Sequence, residues 1–250
     1  MIEILKHTAH RPWPLPRGPW IMKQVWHDLL FAHWPVSQHM LRPLIPQQLQ
    51  LDTFAGQAWL GVVPFRMSGV RVRNTPAIPG VSRFPELNVR TYVVRDGKPG
   101  VWFFSLDAAN ALAVWVARKA FHLPYFRSAM LCEEKAGWIH YESVRRHHGA
   151  PPASLQARYR GLGEAITAPP GTLEHFLTER YCLYTADRQR RIIRCEIHHP
   201  PWLLQQAGAA IQQNTMALAA GISVASQLLE LLHFARRQEV VVWAPRRLKQ

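Results

Sequence analysis

From position 86 to 92 the chain reads Glu-Leu-Asn-Val-Arg-Thr-Tyr, which puts a carboxyl, an amide, a guanidinium and a phenol at every second place. Alternate side chains of a strand share a face. Glu86, Asn88, Arg90 and Tyr92 would therefore line one surface, and Leu87, Val89 and Thr91 the other. Facing a closed cavity, such a row can hold an organic acid. Arg90 offers a planar fork that matches a carboxylate, and Asn88 adds hydrogen bonds. Glu86, its acidity set by burial and by the arginine, becomes the acid/base candidate. Facing water, the same residues are an ordinary strand surface. Glu86 and Arg90 lie too far apart along a strand to touch, so each could instead pair with a neighbouring strand to satisfy burial.

Two other clusters carry titratable groups. In Arg194-Cys-Glu-Ile-His-His199 the adjacent histidines point to opposite sides of a strand, so one strand cannot offer both to one ion, and His147-His148 has the same limit. No HxH or HExxH spacing supplies the converging ligands a metal needs, and no metal or cofactor is expected. In Glu174-His-Phe-Leu-Thr-Glu179 the i,i+4 spacing predicts pairing on a helix surface. Nucleophile and phosphate motifs (GxSxG, the P-loop, GxGxxG) are absent. Cys182 and Cys195, flanked by apolar residues in strand-like runs, read as inert core thiols.

The elements that must position the first row are mostly strands. Residues 86–95 and 101–106 form a hairpin around Asp96-Gly97-Lys98-Pro99-Gly100, with Asp-Gly as the turn signal. Strands are also predicted over 25–34, ended by Pro35, and over 58–65 and 67–72, separated by Pro64 and Gly69. Ser37 would cap a short helix over 38–44, and 108–121 is the best helix. Two strands over 125–148 turn at Lys135-Ala136-Gly137, and Thr172 caps a helix over 173–178. A second hairpin pairs 180–184 with 192–198, and the last strand is 239–243. Frequent turns and a majority of strands predict a mainly β, antiparallel, barrel-like fold with external helices. It is expected to be one domain over residues 1–250, with the proline-punctuated residues 1–19 as an arm packed on it.

Composition narrows the partners. The chain has 250 residues, a net charge of +14 and a pI near 10.5. Its 24 arginines fall in short scattered pairs beside only six lysines, which argues against a nucleic-acid stripe. Three cysteines without CxxC spacing point to a reducing compartment. The first twenty residues hold no run long enough for a signal peptide, and the longest apolar run, 207–232, is broken by polar residues. A cytoplasmic location without membrane contact is expected. Ten tryptophans leave room for a homo-oligomer.

Several stretches resemble a YqjF-like bacterial family of unknown function. They are Asp28-Leu-Leu-Phe-Ala-His-Trp-Pro35, Gly61-Val-Val-Pro-Phe-Arg66, Phe84-Pro-Glu-Leu-Asn-Val-Arg-Thr-Tyr92, Gly100-Val-Trp-Phe-Phe-Ser-Leu-Asp-Ala108, His122-Leu-Pro-Tyr125, Glu179-Arg-Tyr-Cys-Leu-Tyr184 and His198-His-Pro-Pro-Trp202. That family is similar to the acetoacetate decarboxylase-like superfamily, which implies a β-barrel-like core around a small-molecule cavity. Pro16-Arg-Gly-Pro-Trp20 is similar to a segment near the start of the decarboxylases, and Glu86 falls where they keep a pocket glutamate. The departure lies at Tyr125 and Phe126. There the decarboxylases carry paired lysines, one of which depresses its neighbour's pKa so that a neutral amine can form a Schiff base. Val25 likewise stands near the place of their first-strand arginine. Lys119, the nearest lysine, would have to reach in from the helix.

The resulting expectation is a small-molecule-binding barrel for an organic acid. If it is an enzyme, it is a lyase or hydrolase working by acid/base chemistry at Glu86 without a Schiff base. Arg90, Asn88, Tyr92 and Tyr125 would hold the ligand, and Trp102 and Phe104 would form the apolar wall. The alternatives are a non-enzymatic sensor that kept the cavity and, on charge alone, a nucleic-acid-associated protein.

Overall fold

A computed structural model of the chain describes residues 3–224 and 231–249. Positions 225–230, inside the apolar run 207–232, lie outside the described residues. Thirteen strands form one sheet: β1 (Met22–Val36), β2 (Gln50–Leu51), β3 (Ala58–Val72), β4 (Phe84–Arg95), β5 (Lys98–Ala108), β6 (Tyr125–Lys135), β7 (Trp138–Arg145), β8 (Ser154–Thr167), β9 (Cys182–Ala186), β10 (Ile192–His198), β11 (Leu203–Asn214), β12 (Leu231–Val242) and β13 (Arg246–Arg247). Among the described residues three short α-helices accompany them: α1 (Gln38–Leu41), α2 (Ala111–Ala120) and α3 (Leu173–Thr178).

The pairings close into two circuits that share a wall. One runs β1-β3-β4-β5-β6-β7-β8-β11-β12 and returns to β1; the smaller runs β1-β3-β4-β5-β9-β10-β12 and returns to β1. Closure leaves few open edges, which is how an all-β chain this long satisfies its backbone. The ladders are antiparallel except at β5, which lies parallel to both β6 and β9.

Alternation on the shared wall divides the core. Leu30 and Ala32 of β1 and Leu87 and Val89 of β4 turn to the main cluster with Tyr141, Tyr159 and Phe234. Leu29 and Phe31 turn the other way, to Phe65, Phe84 and Trp202.

The prolines do not end strands as the sequence predicts. Pro35 lies inside β1 opposite Trp59, and Pro64 lies inside β3, which is continuous from Ala58 to Val72. Pro64 falls where the β1–β3 register shifts between His27 and Ala32, so its missing N–H breaks no ladder bond there. Asp28, in that shift, takes a left-handed φ of 54°. Its buried carboxylate is held by Arg66 at 2.7 Å and Arg236 at 2.8 Å.

The predicted 38–44 helix spans its expected residues, but only Gln38–Leu41 is α-helical. It becomes 3-10 from Arg42, and Ser37 makes no side-chain cap bond. The best helix starts later than predicted, at Ala111, because Asn110 caps it through Ala113 N–H. Strands β8 and β11 have no counterpart in the sequence reading.

Candidate functional site

The β4–β5 hairpin turns on two residues. Asp96 and Gly97 both have positive φ (53° and 69°), the conformation an Asp-Gly pair favours between twisted strands. With that register, Glu86 and Asn88 stand opposite Ala108 and Leu106 on β5 and opposite Phe65 and Val63 on β3. All of these except Ala108 line a cavity of about 420 Å³, whose strand-borne lining comes from the seven strands of the smaller circuit and from Tyr125 at the start of β6. Arg90 lines it too, across from Gly61. The row Glu86, Asn88, Arg90 therefore faces this cavity and not the outer surface of the sheet.

Glu86 is 3% exposed, and its Oε2 accepts a 2.7 Å hydrogen bond from the Tyr125 hydroxyl. Burial raises its pKa to about 8; the tyrosine bond opposes that rise, and the nearby Asp107 carboxylate adds to it. Glu86 therefore keeps its proton at neutral pH. Tyr125 is pushed well above its ordinary value by burial and by the carboxyl beside it.

Arg90, which is half-buried, is placed differently from the buried arginines Arg145 and Arg180. Its guanidinium lies 5.3 Å above the Phe31 ring, and Nη2 donates a long 3.4 Å bond to the Leu177 carbonyl. Its Nε is buried without a partner, and among the described residues no carboxylate pairs with it. Two more buried polar atoms on this wall lack partners, Asn88 Oδ1 and Trp202 Nε1. By contrast, Arg180, which also lines the cavity, is paired with Asp52 at 2.6 Å.

Tyr92 shares the strand face but lies beyond the cavity. Its hydroxyl bonds His33 Nε2 at 2.6 Å, and its ring carries the Arg180 guanidinium at 4.8 Å. It positions arginines and does not line the space.

Trp102 and Phe104 are placed away from the cavity, against the main core; Phe103 and Val101 line it instead. The reason is a β-bulge. Ser105 pairs with Val89 and Phe103 with Arg90, which leaves Phe104 as the extra residue and reverses the alternation of β5 below it.

Of the two positions where the resemblance implies lysines, Tyr125 faces the cavity. Phe126 turns away, under the Arg145 guanidinium at 4.1 Å. None of the six lysines lines the cavity, and Lys119 lies exposed on α2.

Sequence reasoning passed over Arg180, His199 and Trp202 as cavity residues, although all three stand in stretches that carry the resemblance. The signal was sequence similarity without an alternation argument to orient the side chains. His199 stacks on Tyr181 at 4.6 Å, and burial lowers its pKa. Its neighbour His198 points to the arm, where Nε2 contacts the Ile4 carbonyl at 2.7 Å. The two histidines diverge as strand geometry requires. Among the described residues no cluster of three or more His, Cys, Asp or Glu could hold a metal.

The predicted 174–179 pairs form differently. Thr178 donates to the Glu174 carbonyl, while Glu179 accepts from Tyr181 and from the Trp202 N–H. Cys182 and Cys195 are buried, their thiols pushed up to about 12 by desolvation. No helix among the described residues is long and apolar enough to cross a membrane.

The fold matches that of acetoacetate decarboxylase from Legionella pneumophila, with a TM-score of 0.64 and 10% identity over 96% of this chain and 93% of that one. It also matches MppR, an enduracididine biosynthesis enzyme solved with pyruvate, with a TM-score of 0.60 and 13% identity over 96% and 93%. In sequence the chain is 48% identical to the uncharacterized protein YqjF of Bacillus subtilis, over 93% of this chain and 95% of that protein. Residues 23–239 match the model of the family described as DUF2071, uncharacterized conserved protein. The chain thus belongs to the DUF2071 family and carries the acetoacetate decarboxylase-like fold.

Proposed function

We propose that this cavity binds a small organic acid, with Arg90 and Asn88 reading the carboxylate and Glu86 placed to give or take a proton. The observation that carries the reading is Arg90. A guanidinium with a buried, unpartnered Nε and no carboxylate beside it is costly in an apolar wall unless the ligand brings the negative charge. Asn88 can donate its side-chain amide N–H to the carboxylate, while its unpartnered Oδ1 is an acceptor that suits a donor on the ligand. The protonated Glu86, bridged to Tyr125, supports acid/base chemistry near neutral pH. A protein of the same fold, MppR, is solved with pyruvate, an acid of the class proposed. With no lysine on the wall, any reaction here runs without a Schiff base; the same absence favours a binder that does not turn its ligand over.

The test is thermal shift against 2-keto, 3-keto and aromatic carboxylic acids, with Arg90→Ala beside the wild type. An acid present at about 100 times its dissociation constant should stabilise the wild type by about 2.7 kcal/mol and leave Arg90→Ala unmoved. An acid that stabilises both proteins equally would remove Arg90 from the site. Following the hit for chemical change over hours then separates an enzyme from a sensor.

A further inference from the structure

The cavity is too large and too apolar for the smallest acids. At roughly 30 Å³ per non-hydrogen atom, the share a water takes in the liquid, it has room for on the order of fourteen such atoms. A three-carbon keto acid would leave more than half of it empty, and an unfilled apolar cavity forfeits contact on every side.

The polar groups include Glu86, Asn88 and Arg90 on β4, with Tyr125, Thr178, Arg180 and His199 from other elements; Gln24, Arg71, Thr75 and Ser82 also line the cavity, Arg71 and Thr75 being exposed. Most of the remaining inner wall is apolar, built from side chains such as Trp26, Phe65, Met67, Phe84 and Leu123. The apolar character continues to the outside. Val72, Ile78, Leu112 and Val116 all line the cavity, yet they are 60%, 60%, 54% and 40% exposed. They come from two separate segments, the end of β3 with its following loop, and α2, so they form a lip and not a stray residue. On α2 the sequence directs Leu112, Ala113, Val116 and Ala117 toward the cavity, leaving charged Arg118 and Lys119 off the lining.

We infer that the ligand is an amphipathic acid, a carboxylate head on an apolar body of roughly ten carbons, straight-chain or aromatic. The head sits among Arg90 and Asn88 and the body runs past Phe84 and Met67 to the α2 lip. This inference rests on the reading that Arg90 holds the head, and it adds the class of body that the rest of the wall accepts.

The test is calorimetric titration of straight-chain monocarboxylates, from butanoate to dodecanoate, into wild type, Arg90→Ala and Leu112→Glu. The last change lies on an exposed surface and leaves the core intact. The expected result is one site per chain, with affinity rising about three- to fourfold for each methylene and levelling off near decanoate. Leu112→Glu should weaken decanoate about tenfold and leave butanoate unchanged. Equal affinity for butanoate and decanoate, both lost in Arg90→Ala, overturns the inference and leaves the acid site standing. A rising series that Arg90→Ala does not touch keeps the apolar body and overturns the arginine anchor. No binding by any member of the series overturns both.

Discussion

Glu86 is a carboxylic acid that folding keeps neutral, and the cost is readable in pH. Below about 4.5 the folded and unfolded chains both hold the proton, and burial of the ionised form is not an issue. As pH rises toward about 8, the unfolded chain releases its proton and the folded chain does not, so stability falls with pH across that window. Above about 8 the loss is complete. Glu86→Gln cannot ionise in either state. Its stability relative to wild type should therefore improve on going from acid to alkaline conditions, by an amount on the order of a few kcal/mol. Urea unfolding of both proteins on either side of that window measures the difference. A gap that stays constant would mean that Glu86 is already ionised in the folded chain. Tyr125 matters here because its hydroxyl bond partly offsets the burial and keeps the value from climbing higher.

At the level of elements, the cavity depends on close approach between strands. Gly61 on β3 faces both His33 and Arg90. A Cβ there would meet His33 Nε2 at 3.0 Å and Arg90 Cγ at 3.3 Å. Both neighbours would have to shift by a few tenths of an ångström. Gly61→Ala should cost about 1–2 kcal/mol of stability while weakening acid binding at least as strongly, because the displaced side chain is the anchor. Unfolding and titration run side by side check this. Unchanged binding in a destabilised variant would show that Arg90 tolerates the displacement.

The same scale shows what the sequence could disclose. Asp96-Gly97 gave the hairpin because its turn geometry is local. The facing of Glu86, Asn88 and Arg90 followed from strict alternation on β4. The wall on β5 did not follow, since one bulged residue at Phe104 reversed the alternation, and nothing in Val101-Trp-Phe-Phe104 marks where a ladder will slip. Strand β11 escaped notice because its Ala-, Gln- and Gly-rich run Gln205-Gln-Ala-Gly-Ala-Ala210 carries neither β-branched enrichment nor clean alternation, whereas β8 was passed over although Leu155-Gln-Ala-Arg-Tyr-Arg160 alternates apolar and polar residues. They are strands because they pair with each other. Pro64 misled for the opposite reason: a local rule against strands yields where the ladder already has a gap, while Pro35 stands one residue before the end of β1, opposite Trp59.

Over the whole molecule, the larger circuit is pinned to the shared strand β5 by a buried ion pair. Asp107 on β5 receives Arg145 of β7 through two bonds, at 2.6 and 2.8 Å, and Ser128 of β6 at 2.6 Å. Both charged side chains are almost completely buried. Arg145→Ala would strand a carboxylate in a dry interior and should cost about 3–5 kcal/mol. The midpoint of chemical unfolding reads that cost, and a loss below about 1 kcal/mol would mean that water reaches Asp107. The protein's +14 charge is instead carried by scattered arginines, Arg71 at the cavity mouth among them, and favours the approach of small anions from any side.

The smaller circuit is completed where β5 meets β9, with Val101 against Leu183 and Trp102 against Tyr184. These partners are far apart in the chain, and those of the β1–β12 join, such as Met22 and Val242, are farther apart still, so these two joins close the long loops of the cavity wall and belong to the late, slow part of assembly. A collapsed chain that has formed only the β3–β4–β5 hairpins would own Arg90 and yet have no enclosure to give it affinity. An acid ligand should consequently leave the refolding rate unchanged and act entirely by retarding the escape from the folded state, which stopped-flow refolding and unfolding in its presence would reveal. Acceleration of refolding by the ligand would instead mean that the enclosure forms before its last seam is sealed.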